Sequence, residues 1–235
     1  MSDSADVIKQ PHRRYRRVHV ICEGQTEEMF VNLMLQPHFD AHRIEVHPKL
    51  LGEIGRRGGN VGYKRVLTDI RLLLTHDPKA YVTTFIDFYG IYADFPGVSQ
   101  AKKLRTAWER HDAVVNALFA QLADDLGEEQ AGRVVPYIQM HEFEGLLFSS
   151  PHDLASGILQ PHLWKKFDKI LFAFNTPEDI NDSIETAPSK RIQNIFRGYR
   201  KVLHGTIIAK RIGLERIRQT CPLFDEWLYR LEQLP

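Results

Sequence analysis

The chain has 235 residues, of which 43% are hydrophobic and 26% are charged, and its formal net charge is +1. This balance is typical of a globular protein that is long enough to bury a substantial core. The sequence has no run of about 18 apolar residues, which argues against a membrane span. Two cysteines are too few for a disulfide framework or a structural zinc site. The apolar run after the basic N-terminus is too short for a signal peptide, so the expected compartment is the cytoplasm.

Strands and helices are predicted to alternate along the first 150 residues. In chain order the predicted elements are strand 16–22, helix 26–36, strand 43–48, helix 63–76, strand 81–87, helix 100–126, strand 133–139 and a helix that starts near Glu142. This βαβ order predicts an α/β fold, with a mostly parallel, Rossmann-like sheet and flanking helices.

The domain organisation follows from the same pattern. Residues 1–14 are predicted to be a flexible arm, and residues 15–150 to be the α/β core. After about residue 150 the sequence predicts short helices that break at prolines and glycines. We therefore expect a helical C-terminal subdomain over residues 151–235.

Carboxylates stand at the ends of three predicted strands. Glu23 follows the first, Asp87 ends the strand at 81–87, and Glu142 and Glu144 follow the strand at 133–139. The carboxyl ends of parallel strands line the crevice in which open α/β sheets bind ligands. Carboxylates gathered there repel one another unless a proton or cation joins them, and oxygen ligands suit Mg²⁺ or Mn²⁺. The four residues are therefore the candidate metal ligands.

Strand-end acids have a second interpretation. Such residues also cap helix N-termini or occupy first helical turns, and this applies most strongly to Glu142. Glu142 and Glu144 would point the same way in extended backbone but diverge on a helix. The sequence therefore leaves open whether one or both of them bind metal.

Basic residues cluster in two segments. The glycine-rich segment 51–65 carries four of them, and its glycines would let backbone N–H groups approach phosphate. From Pro188 to Arg218 there are nine Lys and Arg residues against one acid. The candidate nucleic-acid contacts are Arg56, Arg57, Lys64, Arg65 and Arg191, and Lys190 is the candidate to steady a scissile phosphate. The alternatives are a surface loop for the first segment and a solvated helical face for the second.

Two strand-end motifs carry a family resemblance. They are Ile21-Cys-Glu-Gly24 and Phe85-Ile-Asp-Phe-Tyr-Gly90. They resemble the motifs of Toprim-like domains, the α/β domains of topoisomerases, bacterial primases and the overcoming-lysogenization-defect nucleases. Those domains hold magnesium with a glutamate after the first strand and an Asp-x-Asp pair after the third.

The resemblance implies roles for particular residues. Glu23 takes the place of the family glutamate, and Asp87 takes that of the first aspartate. Tyr89 stands where the second aspartate belongs, which implies either a weaker site or one that Glu142 or Glu144 completes.

Three phrases narrow the resemblance to a group of bacterial Toprim-like proteins. Cys-Glu-Gly-Gln-Thr-Glu-Glu stands at 22–28, His-Glu-Phe-Glu-Gly-Leu-Leu-Phe at 141–148 and Ala-Pro-Ser-Lys-Arg at 187–191. Members of this group are often encoded beside ATPases in defence contexts, which implies an ATPase partner and a role in phage defence.

The sequence thus supports a Mg²⁺-dependent nuclease that acts on DNA or RNA, with Glu23, Asp87 and Lys190 as its catalytic residues. One alternative is a non-catalytic Toprim-like module that binds nucleic acid or an ATPase through a degenerate metal site, which Tyr89 favours. Another metal-dependent phosphotransfer reaction is the third hypothesis.

Overall fold

A parallel sheet forms the centre of the fold. The computed structural model describes residues 15–52, 61–181 and 183–235. The strands are β1 (Arg16–Cys22), β2 (Ile44–Leu50), β3 (Tyr81–Asp87), β4 (Val134–Val135) and β5 (Ile138–Gln139). Their order is β2-β1-β3-β4, β5 also pairs with β3, and each of these pairs is parallel. The predicted α/β class with a mostly parallel sheet is confirmed.

Helices make up most of the remaining described chain. The α-helices are α1 (Gln25–Phe30), α2 (Gln36–Ala41), α3 (Tyr63–His76), α4 (Val98–Ala101), α5 (Ala107–Leu126), α6 (Glu128–Ala131), α7 (Pro151–Gly157), α8 (Trp164–Leu171), α9 (Pro188–Ile195), α10 (Lys201–Ile212), α11 (Leu214–Thr220) and α12 (Pro222–Glu232). A π-helical segment, Val31–Leu35, joins α1 to α2. The 3₁₀ segments are Phe88–Gly90, Phe143–Ser149, Pro161–Leu163, Pro177–Asp179 and Ile184–Thr186. None of the helices in the described ranges has the length and apolarity needed to cross a bilayer.

The predicted boundaries are accurate for β1, α3 and β3 and wrong for two helices. The helix predicted at 26–36 continues through the π-helical segment to Ala41. The helix predicted at 100–126 is two helices, because α4 ends at Ala101 and α5 begins at Ala107. Thr106 causes the restart: its side chain accepts from the Glu109 N–H while Glu109 reaches back to the Thr106 N–H.

The strand predicted at 133–139 is interrupted. Pro136 lacks an N–H, and the strand divides into β4 and β5 on either side of Pro136 and Tyr137. Threonines of β3 bridge the gap: the Thr84 hydroxyl donates to the Tyr137 carbonyl at 2.7 Å and accepts from its N–H at 3.0 Å. The helix predicted to start near Glu142 is the 3₁₀ segment Phe143–Ser149.

One apolar cluster links the sheet to the C-terminal helices. Trp227 of α12 is buried, stacks on Tyr137 with ring centroids 4.4 Å apart, and donates to the Thr83 hydroxyl at 2.8 Å. Phe30 and Phe143 also meet edge to face in this cluster. Beyond residue 150 the described chain is helical, as expected, and the domain boundary placed there stays a prediction.

Candidate metal centre

Two of the predicted ligands meet where β1 and β3 end. Cys22 pairs with Phe85 across these strands, so Glu23 and Asp87 emerge side by side at the carboxyl edge of the sheet. The Asp87 N–H donates to the Glu23 carboxylate at 3.1 Å. Asp87 is 4% exposed and its Oδ1 accepts from the Phe143 N–H at 2.8 Å. Backbone contacts therefore hold both carboxylates in position.

Lys201, the first residue of α10, joins three acids at this point. Its ammonium lies 2.8 Å from Asp87 Oδ2, 3.2 Å from Glu27 Oε1 and 3.4 Å from Glu144 Oε2. Glu27 lies on α1, one helical turn after Glu23, and Glu144 is fully buried in the segment Phe143–Ser149. Acids from three elements of the fold thus converge on one lysine ammonium.

The Glu142 and Glu144 side chains have separate environments. Glu144 Oε1 accepts from the buried Tyr199 hydroxyl at 3.3 Å. Glu142 Oε2 accepts at 2.9 Å from the Ser189 N–H in the first turn of α9. Glu142 therefore accepts from the first turn of α9, a different helix from the one that follows it in the chain and that the sequence suggested it could cap.

Crowding of acids dominates the electrostatics. Burial, with Glu27 beside it, raises the pKa of Glu23 to about 7. Burial likewise raises the pKa of Glu144, and it raises that of Asp87 well above its usual value, although Lys201 opposes both shifts. Burial alone would lower the pKa of Lys201, but its carboxylate neighbours outweigh this and hold that pKa well above the usual value. The lysine is therefore charged, and it faces more carboxylates than it can neutralise.

Comparison with known proteins gives a family for this chain. The family described as "Domain of unknown function (DUF4276)" matches residues 22–232. The chain belongs to this family. No curated protein and no solved structure matched the chain.

The match places the carboxylate cluster inside the DUF4276 region, because it spans every cluster residue from Glu23 to Lys201. It also covers α9, where Lys190 is exposed one residue after the Ser189 N–H that binds Glu142. The role predicted for Lys190 at a scissile phosphate stays a prediction.

The residues predicted to contact nucleic acid differ in their exposure and in their hydrogen bonds. Arg56 and Arg57 lie outside the described residues. Lys64 is exposed on α3. Arg65 donates to the Leu51 carbonyl at 2.5 Å, and Arg191 donates to the Thr186 carbonyl at 2.7 Å.

Sequence reasoning missed Glu27, Lys201 and Tyr199 as parts of the site. Glu27 belongs to the Cys-Glu-Gly-Gln-Thr-Glu-Glu phrase, and its position four residues after Glu23 on a starting helix could have indicated it. Lys201 is one of nine basic residues in its segment, and nothing local distinguishes it from the others.

The raised acid pKa values predict how stability depends on pH. An acid whose pKa is higher in the folded state binds more protons there, so the unfolding free energy falls as pH rises through the window. For Glu23 the window runs from its ordinary pKa up to about 7. We expect the metal-free protein to lose about 3 kcal/mol across it. Thermal unfolding in chelator between pH 4.5 and 8 measures this.

Glu23→Gln removes one titrating group and should make the slope shallower, while Asp87 and Glu144 maintain the rest of it. Glu128→Gln is the matched control, because Glu128 is exposed on α6. An unchanged slope in Glu23→Gln would contradict the assignment.

Proposed function

We propose that this protein is a Mg²⁺- or Mn²⁺-dependent nuclease of Toprim type that hydrolyses phosphodiester bonds in DNA or RNA. The observation that carries the proposal is the convergence of Glu27, Asp87 and Glu144 on one cation, Lys201, with Glu23 bonded to the backbone of Asp87. The cluster lies at the carboxyl edge of a parallel sheet, where such folds bind their ligands.

The donor set fits a divalent cation. Carboxylate oxygens are the ligands that Mg²⁺ and Mn²⁺ prefer. Glu27 Oε1 and Glu144 Oε2 are buried without a hydrogen-bond partner among the described residues. Buried oxygens without partners are costly, and a metal ion would satisfy them.

Glu23, Glu27, Asp87 and Glu144 are the residues that would hold the ion. When bound, it would polarise the phosphate and lower the pKa of an attacking water. The Phe143 N–H fixes Asp87 and the Asp87 N–H fixes Glu23, so the site is oriented by rigid backbone. Lys190, on the exposed side of α9, would offer its charge to a phosphate oxygen.

Nucleic-acid backbone is the proposed partner of the basic residues. Lys64 and the arginines at 56 and 57 would contact phosphates, which position a nucleic acid without reading its bases. An ATPase partner and a role in phage defence belong to the same proposal and rest on the Toprim-like resemblance.

A cleavage panel tests the proposal. Wild type and Glu23→Gln would be incubated with plasmid, single-stranded DNA and total RNA, each with Mg²⁺, Mn²⁺ or chelator. Metal-dependent cutting by the wild type alone is expected, and the substrate that is cut identifies the nucleic acid. Equal cutting by both proteins would indicate a contaminant and count against the proposed site.

Gly90 provides a second test, because a Cβ there would collide with the Glu23 carboxylate. That carboxylate ends a flexible side chain and can rotate away, but it then loses its hydrogen bond from the Asp87 N–H. Gly90→Ala is therefore expected to lose about 1 kcal/mol of stability with that hydrogen bond and to bind Mn²⁺ at least ~10-fold more weakly. Calorimetric titration measures this, with Gly132→Ala as the control before β4. Unchanged Mn²⁺ affinity in Gly90→Ala would show that the orientation of Glu23 is unimportant.

Two observations favour a non-catalytic module as the second candidate. Tyr89 occupies the position of the second aspartate, and its ring centroid lies 5.5 Å from that of His141. The Lys201 ammonium already neutralises part of the cluster. If the protein is a non-catalytic module, it binds nucleic acid or an ATPase, and neither the wild type nor Glu23→Gln cuts any substrate in the cleavage panel.

A further inference from the structure

Lys201 occupies the position that a cation would take in the cluster. Its ammonium lies within 3.4 Å of oxygens from Asp87, Glu27 and Glu144. These acids come from β3, α1 and the segment after β5, whereas Lys201 begins α10. The lysine therefore comes from a helix that is separate from the elements that carry the acids.

A metal ion on Asp87 would compete with Lys201 for the same oxygen. A bound Mg²⁺ would lie about 2.1 Å from each carboxylate oxygen that it uses. Asp87 Oδ2 already has the Lys201 nitrogen 2.8 Å away, so a metal on that oxygen would stand directly against an ammonium. Two cations at that separation repel strongly where water is largely excluded. Metal and ammonium should therefore exclude each other.

The lysine offsets only part of the charge of the acids, and it leaves hydrogen bonds unmade. It donates to Asp87, whereas Glu27 Oε1 and Glu144 Oε2, its other two contacts, have no hydrogen-bond partner among the described residues. A multi-coordinate ion would satisfy these oxygens better than one ammonium does.

The lysine also has a route out of the cluster. Its side chain is 35% exposed, while those of Glu27 and Asp87 are 3% and 6% exposed. The ammonium can move to solvent on its flexible stem while the acids stay in place. Arg200, which precedes Lys201 in the chain, is exposed. The Lys201 ammonium would therefore lie beside another basic side chain once it left the cluster.

We propose that Lys201 is an internal counter-ion that blocks divalent-metal binding until it swings out of the carboxylate cluster. This inference rests on the proposed function, since it concerns the same metal site. The metal-competent state is the one with Lys201 outside, and the apparent metal affinity falls by the fraction of molecules in that state.

Mn²⁺ titration by electron paramagnetic resonance tests the competition. Lys201→Met is expected to bind Mn²⁺ at least ~10-fold more tightly than the wild type, because a minor state is populated at about 10% or less. Lys210→Met is the control, since it removes the same charge from an exposed position on the same helix. Wild-type affinity equal to or above that of Lys201→Met would overturn the inference.

A second measurement uses the wild type and does not depend on whether the variant folds. Labelling with an amine-reactive ester, read by mass spectrometry, compares Lys201 with Lys210. An amine held in three ion pairs reacts slowly, so saturating Mn²⁺ should raise the Lys201 rate severalfold and leave Lys210 unchanged. An unchanged Lys201 rate in protein that has bound Mn²⁺ would overturn the inference.

The outcomes separate this inference from the proposed function. Tighter Mn²⁺ binding by Lys201→Met without any nucleic-acid cleavage would support the counter-ion and contradict the nuclease. Equal affinities together with metal-dependent cleavage would contradict the counter-ion and leave the nuclease standing. An absence of Mn²⁺ binding in all three proteins would contradict both.

Discussion

Asp87→Asn is expected to reduce metal-dependent cleavage by at least ~100-fold, because changes even to groups that only support metal ligands cost 10–100-fold. Asp87 is the central acid of the cluster, bonded to Lys201 through one oxygen and to the Phe143 N–H through the other. An asparagine oxygen can still accept from that N–H, so the fold should persist while a charged ligand is lost. Cleavage rates and Mn²⁺ affinity, measured together on the same preparation, check this.

Asp94→Asn is the matched control for this prediction. Asp94 is exposed in the turn that follows β3, and the substitution removes the same charge. We expect it to cleave and to bind Mn²⁺ like the wild type. If Asp87→Asn retained more than a tenth of the wild-type cleavage rate, Asp87 would not be a metal ligand in the reaction.

The strand ends of the site were predictable because they follow from local pattern. A short apolar run that stops at an acid predicts a buried strand with a carboxylate at its end, and β1 and β3 have the predicted bounds. The βαβ order then predicts that parallel strand ends meet at one edge. Glu23 and Asp87 could therefore be placed together without coordinates.

The remainder of the site depends on tertiary packing. Lys201 lies 114 residues from Asp87 in the chain, and only the packing of α10 against α1 and the segment Phe143–Ser149 brings the two together. Glu142 and Glu144 could not be separated by spacing, because the 3₁₀ segment that divides their roles is not signalled by periodicity. Local sequence pattern does not predict which side chains meet when the contact depends on packing between segments far apart in the chain.

The burial of these acids explains why the cluster has its own counter-ion. Carboxylates shielded from water destabilise the fold unless a positive charge or a proton compensates them. Lys201 supplies one positive charge and pairs with three of the four carboxylates, so the compensation is incomplete. Four carboxylates and one lysine leave an excess of negative charge. A site that binds a divalent cation would have such an excess when no metal is bound.

Glu178 is a buried acid that lies outside the candidate site and has a structural role. It is 1% exposed, and its two oxygens accept from the Leu223 and Phe224 N–H groups at 2.9 Å each. These donors belong to the first turn of α12, which begins at Pro222, and N–H groups in a first turn have no carbonyl acceptor within their own helix. Burial raises the pKa of Glu178 to about 8, although the two N–H groups oppose the shift.

Glu178→Ala is expected to lower the unfolding free energy by about 3 kcal/mol, because two buried N–H groups lose their acceptor at ~1–3 kcal/mol each. For a chain of this size the loss corresponds to a fall in Tm of roughly 10 °C. Glu178→Gln keeps one acceptor oxygen and should fall between Glu178→Ala and the wild type. Glu185→Ala, at an exposed position, is the control and should melt like the wild type. Denaturant and thermal unfolding measure all three, and a loss below 1 kcal/mol in Glu178→Ala would mean that α12 is held by its apolar face alone.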